Sequence, residues 1–382
     1  METQPQLRQL RNNTTMLFNN QNQPVESVET SVMDSPVTEE ESHFIEAKNT
    51  PIIEVVNSEN KPKHFIEANT KEVSLYHLKN DCIIPVFSKD NEITISHSRF
   101  IEALWECTQK LFKNEQIKEP EIRVSHIIKG RTPEAIYKPV KELTDADKTI
   151  YYERMAFCME IPTITEIVGG NTLSLTVGGV RAYNQENLYS KKGIEKFKIF
   201  IGFKNMVCCN LCVSTDGLCD EVRVTNVNEL MTKTIELFVS YNAKNHLNQM
   251  RKLQDYNLTE SQFAQLIGKV RLYQYLPAKE KKLLPEFEFT DTHVNLIARN
   301  FYRDENFSYS PAKKNINMWQ VFNLFTEANK CSYIDTFLIT LMIIIKHSNI
   351  FITIFISWIV YNTTVSMSAA IIYIILLHNS KN

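Results

Sequence analysis

The chain reads as an α+β protein with a central, antiparallel-rich β-sheet, a helical C-terminal half and a hydrophobic helix candidate at the end. Three observations predict this. All nine glycines lie between Gly130 and Gly268, so the turn-rich part is central. Short apolar and alternating runs dominate from Glu121 to Thr225. After that, apolar residues recur at helical spacing.

Residues 1–71 form an acidic leader: residues 1–100 hold 9 Lys+Arg against 15 Asp+Glu. Residues 1–42, rich in Gln, Asn, Thr, Ser and Glu, cannot bury enough apolar surface to offset their conformational entropy and are expected to stay disordered. They contain no continuous apolar stretch of the kind a cleavable export signal needs. A short repeat follows, His43-Phe44-Ile45-Glu46-Ala47 returning as His64-Phe65-Ile66-Glu67-Ala68. Two five-residue copies are too little for a solenoid and read as a docking peptide or a local duplication.

Residues 72–335 read as the core. Asp81–Phe87 is a short buried strand, and Ser96–Lys113 a helix with Phe100, Leu104, Cys107 and Leu111 on one face. Strands are expected over Glu121–Ile128, Tyr151–Ile161 and Leu173–Val180, the last two joined as a hairpin through Gly169-Gly170-Asn171. Phe197–Phe203 and Met206–Val213 follow, then a turn at Thr215-Asp216-Gly217 and a strand at Glu221–Thr225. Asn228 to about Leu253 reads as one helix with Met231, Ile235, Phe238 and Tyr241 inward. Thr259 and Gln262 have capping-box spacing, with Leu258 and Phe263 as the staple, for a helix to about Tyr275. Further helices are expected over Asp291–Tyr302 and Ile316–Ala328.

Residues 336–382 contain no Gly, Pro, Asp or Glu, and Ser348–Leu377 carries no charge. A helix over Ile350–Tyr373, rising about 1.5 Å per residue, exceeds the roughly 30 Å hydrocarbon thickness. One reading is therefore a C-terminal membrane anchor, which makes a membrane a partner. Lys346 and Lys381 flank the window and set no orientation. A second reading is an out-of-frame tail, since AT-rich DNA in the wrong frame yields Ile, Asn, Lys, Phe and Tyr; a third is a buried core helix.

At 43% hydrophobic and 23% charged residues, the composition is that of an ordinary globular protein. Residues 101–335 hold 31 Lys+Arg against 29 Asp+Glu, without the basic density of a nucleic-acid arm. With no export signal, the eight cysteines read as free thiols and the core as cytoplasmic. Cys209 and Cys212 make a C-x2-C unit, a weak zinc candidate, in an apolar run that reads instead as buried strand. Gly178-Gly179 lacks phosphate-loop spacing and reads as a bulge or turn. No cofactor is expected, and no elbow or metal-protease motif points to catalysis. Basic residues beside turns, with tyrosines interleaved, form the interesting set: Arg131, Arg181, Tyr183, Lys191, Lys192 and Lys204. Such groups on strands can grip phosphates and stack bases, which makes DNA the partner they point to. The alternative is an ordinary charged surface.

The strings DCIIPVFSKDNEITISH, EIRVSHIIKGRTPEAIYKP, TIYYERMAF, LSLTVGGVRAYNQENLYSKK, KFKIFIGFKNMVCCNLCVSTDG, LTESQFAQLIG and MWQVFNLFTEANKCSYID carry a resemblance over about residues 65–335. They resemble the bacterial family called domain of unknown function 3871 and, more loosely, the phage and plasmid family called domain of unknown function 932. The resemblance implies a home on a mobile genetic element and lends no activity or catalytic residues. It lapses near Phe337. The expected function is a non-catalytic factor in the DNA metabolism or maintenance of such an element; the alternatives are a tail-anchored interaction module and a zinc-dependent protein.

Overall fold

The computed structural model describes residues 63–84, 94–135, 137–186, 194–282, 289–303 and 315–350. Residues 1–62, with the first copy of the repeat, and residues 351–382 lie outside them, so all but the first residue of the Ile350–Tyr373 window is outside as well.

Six strands form one antiparallel meander: β1 (Lys71–Glu72), β2 (Glu121–Arg131), β3 (Lys148–Val168), β4 (Asn171–Ala182), β5 (Glu195–Asn205) and β6 (Leu211–Val224). The β3–β4 hairpin turns on Gly169 and Gly170, whose φ values of 56° and 79° suit a two-residue loop with both central residues left-handed. Trp319 covers that turn closely enough that a Cβ on Gly169 would sit 2.3 Å from its Cδ1. The β5–β6 turn rests on Asn205, whose Oδ1 accepts from the N–H groups of Val207 and Cys208 at 2.9 and 3.4 Å. This asparagine-led turn puts Met206–Cys208, expected as strand, outside the sheet. Gly178 and Gly179 form neither bulge nor turn. They lie mid-strand in regular register, where a Cβ on Gly179 would meet the Phe100 ring at 2.5 Å. The turn expected at residues 215–217 is a bulge inside β6, as pairing jumps from Gly202↔Val213 to Phe200↔Leu218. Of the strand expected at residues 81–87, the described part makes one bridge, Cys82 to Ile150.

The helices are α1 (Leu75–Asn80), α2 (His97–Leu111), α3 (Val227–Ser240), α4 (Ala243–Lys252), α5 (Glu260–Tyr273), α6 (Ala278–Lys281), α7 (Asp291–Arg303), α8 (Met318–Asn329) and α9 (Ile334–Ile350). Four of the long starts have a local cause. Ser96 caps α2, Asn226 caps α3, and Thr259 with Gln262 and Asn317 with Gln320 close capping boxes on α5 and α8. The single helix expected over residues 228–253 breaks at Tyr241-Asn242, because Asn242 caps a new helix and donates its own N–H to Asp216 Oδ2 at 3.0 Å. Strands β7 (Asn257–Thr259) and β8 (Asn315–Asn317) pair ahead of α5 and α8.

Both faces of the sheet are covered. On one, Met155, Phe157, Val177, Phe197 and Ile199 pack with α2, α3 and α4. On the other, Ala156, Cys158, Val180, Phe200 and Val213 pack with Phe65, Ile66 and α9. Helix α8 closes the turn end, through Trp319 Nε1 to Asn171 Oδ1 (2.9 Å) and Asn210 Nδ2 to the Asn323 carbonyl (3.1 Å).

Both expected core boundaries move outward. Phe65 and Ile66, assigned to the leader, are buried, and Phe337, Leu338 and Leu341, assigned to the tail, are buried against the sheet. The physical reason is spacing: Ile334, Phe337, Leu338, Leu341 and Ile344 share one helical face, so the apolar composition serves a core helix as far as Ile344. Among the described residues no helix is long and apolar enough to cross a membrane. Truncating Leu338 to Ala should lower unfolding stability by about 2–5 kcal/mol in urea titration; an unchanged midpoint would remove α9 from the core.

Candidate functional site

Arg181, expected as a phosphate contact, lies on the α2 face with 1% of its surface exposed. Its Nη2 donates to Glu195 Oε2 at 2.5 Å and Glu186 Oε2 at 3.2 Å, and its Nε donates to Glu186 Oε1 at 3.3 Å. The guanidinium stacks over the rings of Tyr183 and Phe197 at 4.6 and 4.4 Å. Glu195 also accepts the Ile95 N–H at 3.2 and 3.0 Å, which ties the approach to α2 to the sheet. Tyr183 also stacks with the His97 ring, centroids 4.3 Å apart. His97 Nε2 faces the Tyr152 carbonyl at 2.9 Å, so that nitrogen carries the proton. Burial, then the Arg181 charge, push His97 down from 6.5 to about 3. Burial pushes the Tyr183 phenol up, so it too stays neutral.

Lys204 occupies the opposite face. Its Nζ lies 2.9 Å from Glu160 Oε2 and 4.0 Å from Glu121 Oε2. Lys118 reaches Glu160 Oε1 at 3.0 Å, and His64 reaches Glu121 Oε1 at 3.0 Å. Burial acts to lower the Lys204 pKa, and Cys158, Glu160 and Glu121 together outweigh it, raising the pKa. Arg181 and Lys204 thus sit on opposite faces of the sheet, each consumed by its own carboxylates. Lys191 and Lys192 lie outside the described residues.

Arg131 is the expected basic residue on the surface. It ends β2, in the part of the β2–β3 ribbon that runs beyond β4, whose last pairing is Arg154↔Ala182. Its Nη1 donates to the Lys138 carbonyl at 2.7 Å. The loop that follows carries Tyr137, 96% exposed, and Val140, 74% exposed.

Cys209 and Cys212 do not converge. Cys212 is buried on the α3 face, whereas Cys209, in the left-handed conformation at φ 58°, sits in the field of Lys204 and Glu121. Burial raises both thiols. Among the described residues no group of three or more potential ligands gathers to hold a metal ion.

Two further constellations invite a nucleophile reading. His77 Nδ1 is 2.8 Å from Asp81 Oδ2, and its Nε2 is 3.1 Å from the Tyr152 hydroxyl and 3.9 Å from Cys82 Sγ. Burial, then Asp81, raise Cys82 to about 11, the reverse of thiolate activation. Ser332 Oγ lies 3.1 Å from His293 Nε2, yet His293 Nδ1 accepts the Thr290 N–H at 3.1 Å. The neutral ring must therefore donate from Nε2, so Ser332 accepts a hydrogen bond from it and has no base there to take its proton. His293 and Thr290 close a helix start, and the Ser332 hydroxyl donates to Asn329 Oδ1 at 2.9 Å.

Arg181→Met leaves Glu186 and Glu195 buried without their cation, so stability should fall by about 3–5 kcal/mol; a urea midpoint matching wild type would contradict the network. A pH effect follows from His97, pushed down to about 3, and His246, pushed down to about 4 by burial. The unfolded chain protonates both below 6.5 and the folded chain does not, so stability is full above 6.5 and declines as pH falls toward 4. Between pH 6 and 5 urea unfolding should lose roughly 2 kcal/mol with uptake of about two protons. His246→Asn should halve that slope.

Comparison with known proteins adds a family and no activity. No curated protein and no solved structure matches the chain. Residues 46–349 match the family described as "Domain of unknown function, B. Theta Gene description (DUF3871)". The match runs past residue 335, where the resemblance was expected to lapse, and takes in all but the last residue of α9. It spans more than three quarters of the 382 residues. The chain belongs to this family, the domain of unknown function 3871.

Proposed function

We propose that the chain is a non-catalytic factor of a bacterial mobile genetic element, acting in its DNA metabolism or maintenance, and that it touches nucleic acid with the β2–β3 ribbon. The observation that supports this reading is the ribbon itself, which runs on past the end of β4 with Cys82 and Ile83 on its β3 edge and Tyr137 96% exposed in the loop at its end. Lys129 and Lys141 are exposed there, and neither has an ion-pair partner among the described residues. Arg131 lies between them in the sequence. Lys138 and Lys148 are neutralised by Asp147 and Asp145, each at 2.7 Å. A two-stranded ribbon fits a groove, basic groups on it meet phosphates, and an exposed tyrosine stacks on an unpaired base. The contact surface is thus transferred from the sheet residues Arg181 and Lys204, which are buried, to residues 127–148.

Anisotropy titration of labelled single- and double-stranded DNA, at about 50 and 200 mM salt, tests it. Binding should be present at low salt, weaken at high salt, and lose about one unit of salt slope per residue in Lys129→Glu, Arg131→Glu and Lys141→Glu. Tyr137→Ala should weaken the single strand more than the duplex. No binding at low salt, or binding indifferent to the triple variant, overturns the reading.

A further inference from the structure

The second copy of the repeat is a seated peptide. His64 Nδ1 meets Glu121 Oε1 at 3.0 Å. Phe65, 1% exposed, packs edge-on against Phe337 with centroids 6.1 Å apart, and Ile66 is fully buried. The N–H groups of Glu67 and Ala68 both donate to the Lys330 carbonyl, at 2.9 and 3.1 Å. The chain then turns at Asn69, φ 52°, and Thr70 Oγ1 accepts from Arg123 Nε and Nη2 at 3.1 and 2.9 Å. From there it enters β1. The seat is made by α9, the start of β2, the inner strands on that face and the end of α8.

We propose that this seat has a second ligand within the same chain, His43–Ala47, so that the N-terminal arm has two registers. The five residues are identical to those seated, so they bring the same imidazole for Glu121, the same ring for Phe337 and the same two backbone donors for Lys330. Beyond the five the copies differ, and the difference ranks them. Asn69-Thr70 follows Ala68 directly, whereas Lys48 is inserted before Asn49-Thr50. The insertion moves Thr50 out of register with Arg123. Thr50 then stands where Lys71 begins β1, and Pro51 where Glu72 follows it. Copy two is therefore the resident and copy one the alternative.

The exchange is within one molecule. Each chain has one seat and two ligands, so a second chain would find no vacancy to fill, and the tethered segment competes at high effective concentration. With copy one seated, the residues from Lys48 to Thr70 need only loop back to Lys71, and loop closure grows slowly in cost with length. Exchange would free Thr70 from Arg123, 7% exposed beneath it, and bare the β2 edge that β1 now covers.

A double-mutant cycle on the full chain, read by urea denaturation, tests the two registers. Phe44→Ala should leave the midpoint unchanged, Phe65→Ala should lower it, and the double variant should lower it further. Phe44 would thus matter only once Phe65 is gone. A double variant that coincides with Phe65→Ala overturns the proposal. So does a Phe65→Ala midpoint that rises with protein concentration, since the occupant would then come from another chain. If Phe65→Ala does not fold, His43→Ala and His64→Ala run the same cycle with the apolar seat intact, and the same coincidence overturns it.

Discussion

Covering a sheet on both faces takes away the solvent that would otherwise satisfy its polar side chains, and most of this chain's charge arrangement follows from that. From Leu173 through Ala182 every residue of β4 is buried. A cation on such a strand must find its anions inside, because an unpaired buried charge costs far more than the fold can spare. Arg181 takes Glu186 and Glu195 on one face, and Lys204 takes Glu160 on the other. Each cation sits in a separate carboxylate cage, so the two do not add to a common field. Basic density read along the chain is therefore no measure of positive potential at the surface. Where the strands outrun the covering layers, in the β2–β3 ribbon, Lys129 faces water.

These pairs also position segments that propensity leaves loose. Glu195 accepts the Ile95 N–H just before α2, so one carboxylate fixes both an arginine and the entry of a helix. Lys330 does the same at the other end. It is 1% exposed, lies 2.9 Å from Glu327, and donates from Nζ to the Cys208 carbonyl. Its own carbonyl receives the 67–68 backbone. Three segments distant in sequence are thereby held at one residue. A buried ion pair brings little net stability over an apolar isostere, and such ties are its better-attested use.

What could be read in the sequence follows the range of the forces involved. Helix starts are local, and Ser96 and the Thr259–Gln262 box stand where spacing puts them. The Gly169-Gly170 hairpin is local too, since two residues of positive φ suffice to define it. The β5–β6 turn was hidden because Met206-Val207-Cys208 is apolar, and only the Asn205 side chain overrules that pattern. The site was less legible than the fold. Arg181 shares the strand parity of Val177 and Gly179, which marks it as facing the same side as the core. That parity was the available signal for burial. Its partners Glu186 and Glu195 and the ring of His97 come from outside β4, and no local pattern announces them.

Composition misplaced the inner boundaries of the two flanks for one common reason: at those boundaries each is the other's packing partner. The leader segment at residues 63–68 is polar on average, and the segment after Asp335 is apolar on average. A window average assigns the first to solvent and the second to a membrane or to misreading. Joined, they balance, because Phe65 and Ile66 fill the surface that Phe337, Leu338 and Leu341 leave on the sheet. The contact between Phe65 and Phe337 closes nearly the whole core into one loop. Loop entropy must be met before such a contact rewards it, so it belongs late in folding. During synthesis the seat for the N-terminal arm is incomplete until α9 has emerged. Until then the HFIEA segment, the first anchor to be made, has only the sheet to wait on.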